Sequence, residues 1–211
     1  GISKLSKERL LQELKKISKI ETLEKLSKDK ISSEIFLIIF PEIKNLNIFS
    51  KLKSYLNEFI YELDFIFLLS LMIIDGTDNA DYFLYKYNLS NKDKKRIKII
   101  DNFFKKKISS KKSLESELNK TLYYSGKQAV IDILNFKIFK SQKLNIKLKE
   151  LKDEFINKSI PAMPIKADVI ISKYKISKGR NLGSKMKSIE EKWIENNFSI
   201  SDEEISNIIK N

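Results

Sequence analysis

The residues in this sequence whose types and spacing suggest chemistry are cations set beside glycines, and what they offer is the holding of phosphates. Gly179-Arg180-Asn181-Leu182-Gly183 opens a helical stripe through Met186, Ile189, Trp193 and Phe198. Glycines at a helix start let backbone amides approach an anion, and the helix dipole adds to the attraction. Lys178, Arg180 and Lys185 supply cations around that mouth. The same two glycines would also suit a helix corner packed tightly on a neighbour, and their spacing does not choose between the two. Two denser basic runs, Lys92-Asp93-Lys94-Lys95-Arg96-Ile97-Lys98 and Lys105-Lys106-Lys107, stand at the two ends of one amphipathic segment. Such runs suit a phosphate groove or a solvated face. Lys127 opens a further helix after Ser125-Gly126. The candidate phosphate contacts are therefore Lys94, Lys95, Arg96, Lys127, Lys178, Arg180 and Lys185.

Much other chemistry is excluded. The chain has no His and no Cys, so it offers no Ser-His or Cys-His nucleophile, no thiolate and no imidazole zinc site. Disulfides are excluded too, which fits a cytoplasmic protein. Asp75, Asp78 and Asp81 lack the ligand series of a calcium loop; they read as helix termini, with Asp78 as a cap. Tyr82, Phe83, Tyr85, Tyr87, Tyr123 and Tyr124 are rings on which bases could stack, although aromatics at helical spacing are mostly core.

The formal net charge is +13. That excess suits a polyanionic partner, because clustered cations displace counterions from phosphates. It is nearly all Lys, with Arg only at positions 9, 96 and 180. With Ile and Asn also abundant, AT-rich codon usage is a second source for the same charge.

The elements that must position these residues read as helical throughout, and no segment alternates at period two. Five Gly and three Pro leave few sharp turns. Ser6 caps a helix with Leu10, Leu11, Leu14 and Ile17 on one face. Short helices follow at 21–26 and 33–40, the latter stopped by Pro41. Residues 49–57 lead into an apolar helix over 59–74, whose apolar run is too short for the ~20 residues of a membrane span. Helices at 79–87, 114–123, 127–139, 144–156 and 168–172 follow, together with one that opens in a capping box at Ser90 and carries Ile97, Ile100, Phe103 and Phe104 inward. A Trp193 helix and a last helix, with a second capping box at Ser201, close the chain. Ile160-Pro161-Ala162-Met163-Pro164 is the best linker candidate. The expected fold is all-α, an elongated multi-helix array of body plus smaller tail, with no sheet.

Several of these segments, in this order, resemble the C-terminal half of the tRNA nucleotidyltransferase family, which includes CCA-adding enzymes and bacterial poly(A) polymerases. Ser6, Glu8, Arg9, Glu13 and Leu14 resemble the Ser-x-Glu-Arg-x-x-x-Glu-Leu pattern that ends the family's neck. Phe40-Pro41-Glu42-Ile43 is similar to a helix-pair corner in that family, and Leu89-Ser90-Asn91-Lys92-Asp93 to a helix start in its body. Leu122-Tyr123-Tyr124-Ser125-Gly126-Lys127 with Asp132 resembles a Tyr-Arg-x-Gly-Lys stretch, with Tyr124 where the family has Arg. The tail resembles a Gly-Pro-x-Leu-Gly pattern, with Arg180 in place of Pro, and lacks the Gly expected before Asp168.

The resemblance implies that residues 1–40 end the neck, 41–159 form the body and 160–211 the tail. It implies that Glu8, Arg9 and Glu13 brace neck helices; without it they read as a surface helix with an Arg9–Glu13 pair. The head that would precede them in the family, with its Mg²⁺, CTP and ATP, is absent from this sequence. The chain by itself is then expected to be inactive, with no catalytic or metal-binding residue and no cofactor of its own. The expected partner is tRNA or another RNA, gripped for 3′-end nucleotide addition, with no DNA and no membrane. The alternative is an all-helical protein–protein scaffold whose basic charge has no function.

Overall fold

A computed structural model describes residues 5–50, 63–106, 108, 111–141 and 145–210. Among them are thirteen helices and no strand, so the chain is an all-α array. It forms two compact units, one of residues 1–107 and 131–156, the other of residues 108–130 and 157–211.

The first unit opens with α1 (Lys7–Ile17), capped by the Ser6 hydroxyl, which accepts from the Arg9 amide at 3.3 Å. Next come α2 (Ile20–Lys28) and α3 (Lys30–Ile39), which ends at Phe40 just before Pro41. A single turn, α4 (Asn47–Ser50), packs on α2. Residues 51–62, and with them most of the 49–57 segment and the first residues of the helix expected over 59–74, lie outside the described residues. The apolar helix, α5 (Phe65–Ile73), starts later than residue 59. Asp64 is its extended N-cap, accepting from the Phe67 amide at 2.9 Å, and a residue in that conformation cannot lie inside a helix. Eight of its nine residues, Ile66 through Ile73, are buried, the pattern of a helix at the centre of a core. No described helix is long and apolar enough to cross a membrane.

Around α5 pack α6 (Asn79–Lys86) and α7 (Asn91–Lys105). The cap ahead of α6 is not the Asp78 carboxylate, which makes no capping bond. Thr77 Oγ1 accepts from the Asn79 amide instead, held in turn by Asp75 Oδ1. Of the residues expected on the inner side of α7, Ile97, Ile100 and Phe103 are buried, whereas Phe104 is partly exposed and packs edge-on against Phe136 at 5.3 Å. Helix α8 (Lys111–Ser125) belongs to the other unit; α9 (Lys127–Ser141), from residue 131 on, and α10 (Ile146–Asn157), up to residue 156, return the chain to the first. Phe139 of α9 meets Phe67 edge-on at 5.8 Å.

In the second unit α8 packs on α12 (Arg180–Glu195). Trp193 lies between Tyr123 and Phe198, with ring centroids 5.6 and 5.1 Å away. A smaller core of Ile170, Leu182, Ile189 and Ile205 joins α11 (Ala167–Tyr174), α12 and α13 (Asp202–Lys210). Met163, from the two-proline segment, and Ile165, just after it, pack against that core. The Ser201 capping box closes reciprocally: Ser201 Oγ accepts from the Glu204 amide at 3.2 Å, and Glu204 Oε2 from the Ser201 amide at 2.9 Å.

Candidate nucleic-acid interface

The mouth of α12 is built by backbone conformation. Lys175 ends α11 in the left-handed region, at φ 55°. Gly179 then adopts φ 151°, ψ −167°, which an L side chain rarely enters, and offers no side-chain cap. The first amides of a helix have no intrahelical partner, and here they face a mouth flanked by exposed Lys178 and Arg180. A Cβ built on Gly179 or Gly183 would meet no atom within 4 Å. Among the described residues, then, no neighbour packs closely against either glycine. Lys185 turns away to donate to the Ile208 carbonyl at 3.1 Å, where a cation suits the end of α13.

The cations of α7 divide. Lys95 is exposed and Lys94 half-buried, and neither makes an ion pair among the described residues. Arg96 is committed elsewhere. Its Nε and Nη2 donate to both oxygens of Asp132 at 2.6 and 2.8 Å, and Nη1 donates to Asp64. Asp132 is 2% exposed, so this fork holds α7 to α9 and to the cap of α5. The Asp132 hydrogen bonds, ahead of those from Asp64, keep Arg96 charged at any accessible pH. Sequence spacing could not separate Arg96 from its neighbours, because its partners lie 32 and 36 residues away.

A cleft of about 390 Å³ opens beside this fork, lined by Leu11, Gln12 and Lys15 of α1 and by Asp64, Phe65 and Leu89. Lys15 Nζ stands 6.0 Å from the Phe65 ring centroid. Asp64 and Asp93 on its wall oppose a phosphate, so the cleft better suits a neutral or cationic group. Nothing in the local sequence pattern marked it. Among the described residues no group of three or more carboxylates is placed to hold a metal ion.

Glu8, Arg9 and Glu13 are exposed on α1. The expected Arg9–Glu13 pair does not form; Glu13 meets Lys16 at 2.8 Å instead, one turn towards the helix C-terminus. Such an exposed pair contributes little.

Lys127 is exposed at the first turn of α9, behind Gly126 at φ 83°. Tyr124, where the family pattern has Arg, hydrogen-bonds Glu190 Oε2 at 3.1 Å, and Tyr123 takes Oε1 at 2.9 Å, tying α8 to α12. Burial first, then the Glu190 hydrogen bond, pushes the Tyr124 hydroxyl up to about 12. An unfolded tyrosine titrates near ~10. The stability carried by this contact is therefore complete below about pH 10 and is lost as pH rises from there through 12. Absorbance titration at the phenolate band should show a late-titrating group of tyrosines that includes Tyr123 and Tyr124, and Glu190→Gln should move these two towards the ordinary value; a Tyr124→Phe protein with an unchanged late phase would refute the contact.

No family model and no curated protein matches this chain.

Proposed function

We propose that the chain is the RNA-holding C-terminal region of a tRNA nucleotidyltransferase, a CCA-adding enzyme or poly(A) polymerase, which grips tRNA for 3′-end addition by a separate catalytic head. The observation that carries the binding role is the mouth of α12. A glycine in a conformation closed to other residues, a second glycine four positions on, and open space before both leave backbone amides accessible between Lys178 and Arg180. Gly183 costs an α-helix about 0.5–1 kcal/mol relative to Ala, and among the described residues no neighbour lies within 4 Å of where its Cβ would be. The Gly183 amide is bonded to the Gly179 carbonyl at 3.1 Å, so what the glycine offers an approaching phosphate is the missing side chain beside the free amides of Arg180 to Leu182. The choice of tRNA as the RNA, and of nucleotide addition as the reaction, draws on the resemblance of the motifs between Ser6 and Gly183 to that family. Lys94 and Lys95 add a second basic surface in the first unit, suited to reading phosphates and shape.

A second reading, a helical interaction scaffold, draws on α3. Ile31, Ile35 and Ile38 form an apolar stripe on its solvent side, exposed by 70%, 53% and 80%.

One binding experiment separates the two. Folded tRNA, a single strand of equal charge and heparin are compared at fixed salt, with wild type and Gly183→Ala. The RNA reading expects a preference for folded tRNA, and a Gly183→Ala protein that is more stable by about 0.5–1 kcal/mol yet binds more weakly. Equal affinity for all three polyanions, unchanged by the substitution, would leave the scaffold.

A further inference from the structure

Two tyrosine rings on α6 stand clear of the first unit. Tyr82 and Tyr85 are 56% and 88% exposed, whereas Phe83 and Tyr87 from the same stretch are buried. Residues at i and i+3 are neighbours on a helix surface, with Cβ atoms about 5–6 Å apart. The two rings therefore share one outward face, with Asp81 beside them.

That face borders the basic helix. Residues 87–90 join α6 to α7, and the two run antiparallel: Asp81 meets Lys98 at 3.4 Å and Lys105 at 4.0 Å, and Phe104 would lie 3.6 Å from a Cβ on Gly76. A step of one turn towards the C-terminus of α6 is a step towards the N-terminus of α7. Asp81 stands between Lys98 and Lys105 along α7, so Tyr85, one turn beyond Asp81, falls towards Lys98, with Lys94 one turn further on. Two carboxylates belong to the same strip. Asp101 is buried against Lys105 at 2.7 Å, and Asp81 holds Lys98 only in an exposed pair. Lys94 and Lys95 make no ion pair among the described residues. Exposed rings next to uncompensated cations match the two surfaces of a nucleotide, a flat base and a phosphate.

We propose that Tyr82 and Tyr85 form a stacking platform for one or two unpaired nucleotides of the bound RNA, with Lys94 and Lys98 taking the adjoining phosphates. The inference rests on the RNA-holding reading and narrows it. Bases within an A-form helix have no free face to offer, so the occupant is a loop, a bulge or a single-stranded end. Stacking is sequence-tolerant, and the platform distinguishes unpaired from paired RNA without reading a base. The exposed Lys98–Asp81 pair is of the weak surface kind and yields to a phosphate.

The test uses the full chain carrying Tyr82→Ala and Tyr85→Ala, with folded tRNA and a blunt, fully paired RNA duplex as probes. Affinity for tRNA should fall roughly tenfold or more. Affinity for the duplex, the salt dependence and the circular dichroism spectrum should not change, because no cation and no core contact is removed. Phe at both positions should retain tRNA binding. A wild-type chain that binds no RNA would remove the RNA reading and this inference with it. A wild-type chain that binds tRNA while the Ala variant binds it equally well, or loses tRNA and duplex alike, would overturn the stacking platform alone.

Discussion

Arg96→Ala is expected to cost about 3–5 kcal/mol of stability, the toll of removing one partner from a buried ion pair. The substitution takes two hydrogen bonds from Asp132, which is 2% exposed, and one from Asp64 at the cap of α5. The midpoint of thermal unfolding should drop by roughly 10 °C. Arg96→Lys keeps the charge but not the planar fork, so it should recover only part of the loss. A double change to apolar residues of similar volume, Arg96→Met with Asp132→Leu, should be far milder than the single change. Urea denaturation followed by circular dichroism measures all three. An Arg96→Ala protein as stable as wild type, but weaker towards RNA, would return Arg96 to the phosphate contacts and refute its structural role.

RNA affinity should fall about 500-fold between 50 and 200 mM salt, taking about five neutralised phosphates and the duplex-DNA coefficient for paired RNA. The five cations are Lys94, Lys95, Lys98, Lys178 and Arg180, since Arg96 is held by carboxylates and Lys185 by the Ile208 carbonyl, and the exposed Lys98–Asp81 pair yields to a phosphate. Replacing Lys178 and Arg180 together by Ala should flatten the slope by about one to two units, near one per lost contact. Both residues are exposed at the mouth of α12, so helicity should be unaffected. Lys185→Ala tests something else: it unties the end of α13 and should loosen the tail without a matching change in slope. A slope unchanged in the Lys178→Ala/Arg180→Ala protein would detach the α12 mouth from RNA.

Local physics made much of this protein legible from residues alone. The all-α class follows from helical periodicity with few Gly and Pro, the stop at Phe40 from Pro41, and the caps at Ser6, Ser90 and Ser201 from side chains that bond amides three residues away. The burial of Ile66 to Ile73 was legible as an apolar run broken only by Ser70. The late start of α5 rests on the same kind of local cap, Asp64 accepting from the Phe67 amide, which the apolar periodicity from residue 59 obscured. Contacts distant in sequence governed the candidate site. Lys94, Lys95 and Arg96 are equivalent as a charge run, and only a buried carboxylate on α9 turns Arg96 into a structural fork. Tyr82, Phe83, Tyr85 and Tyr87 are equivalent as aromatics, and only the packing of α6 on its neighbours sends two inward and leaves two outside. Gly179 and Gly183 suggested either an anion mouth or a tight corner, and the empty space before them depends on where the rest of the chain goes. Sequence determines which groups can bond nearby backbone and which residue types are present; partnership across tens of residues, and hence which cations and rings remain available, is decided by tertiary packing, because burial and long-range pairing exist only once the helices have met.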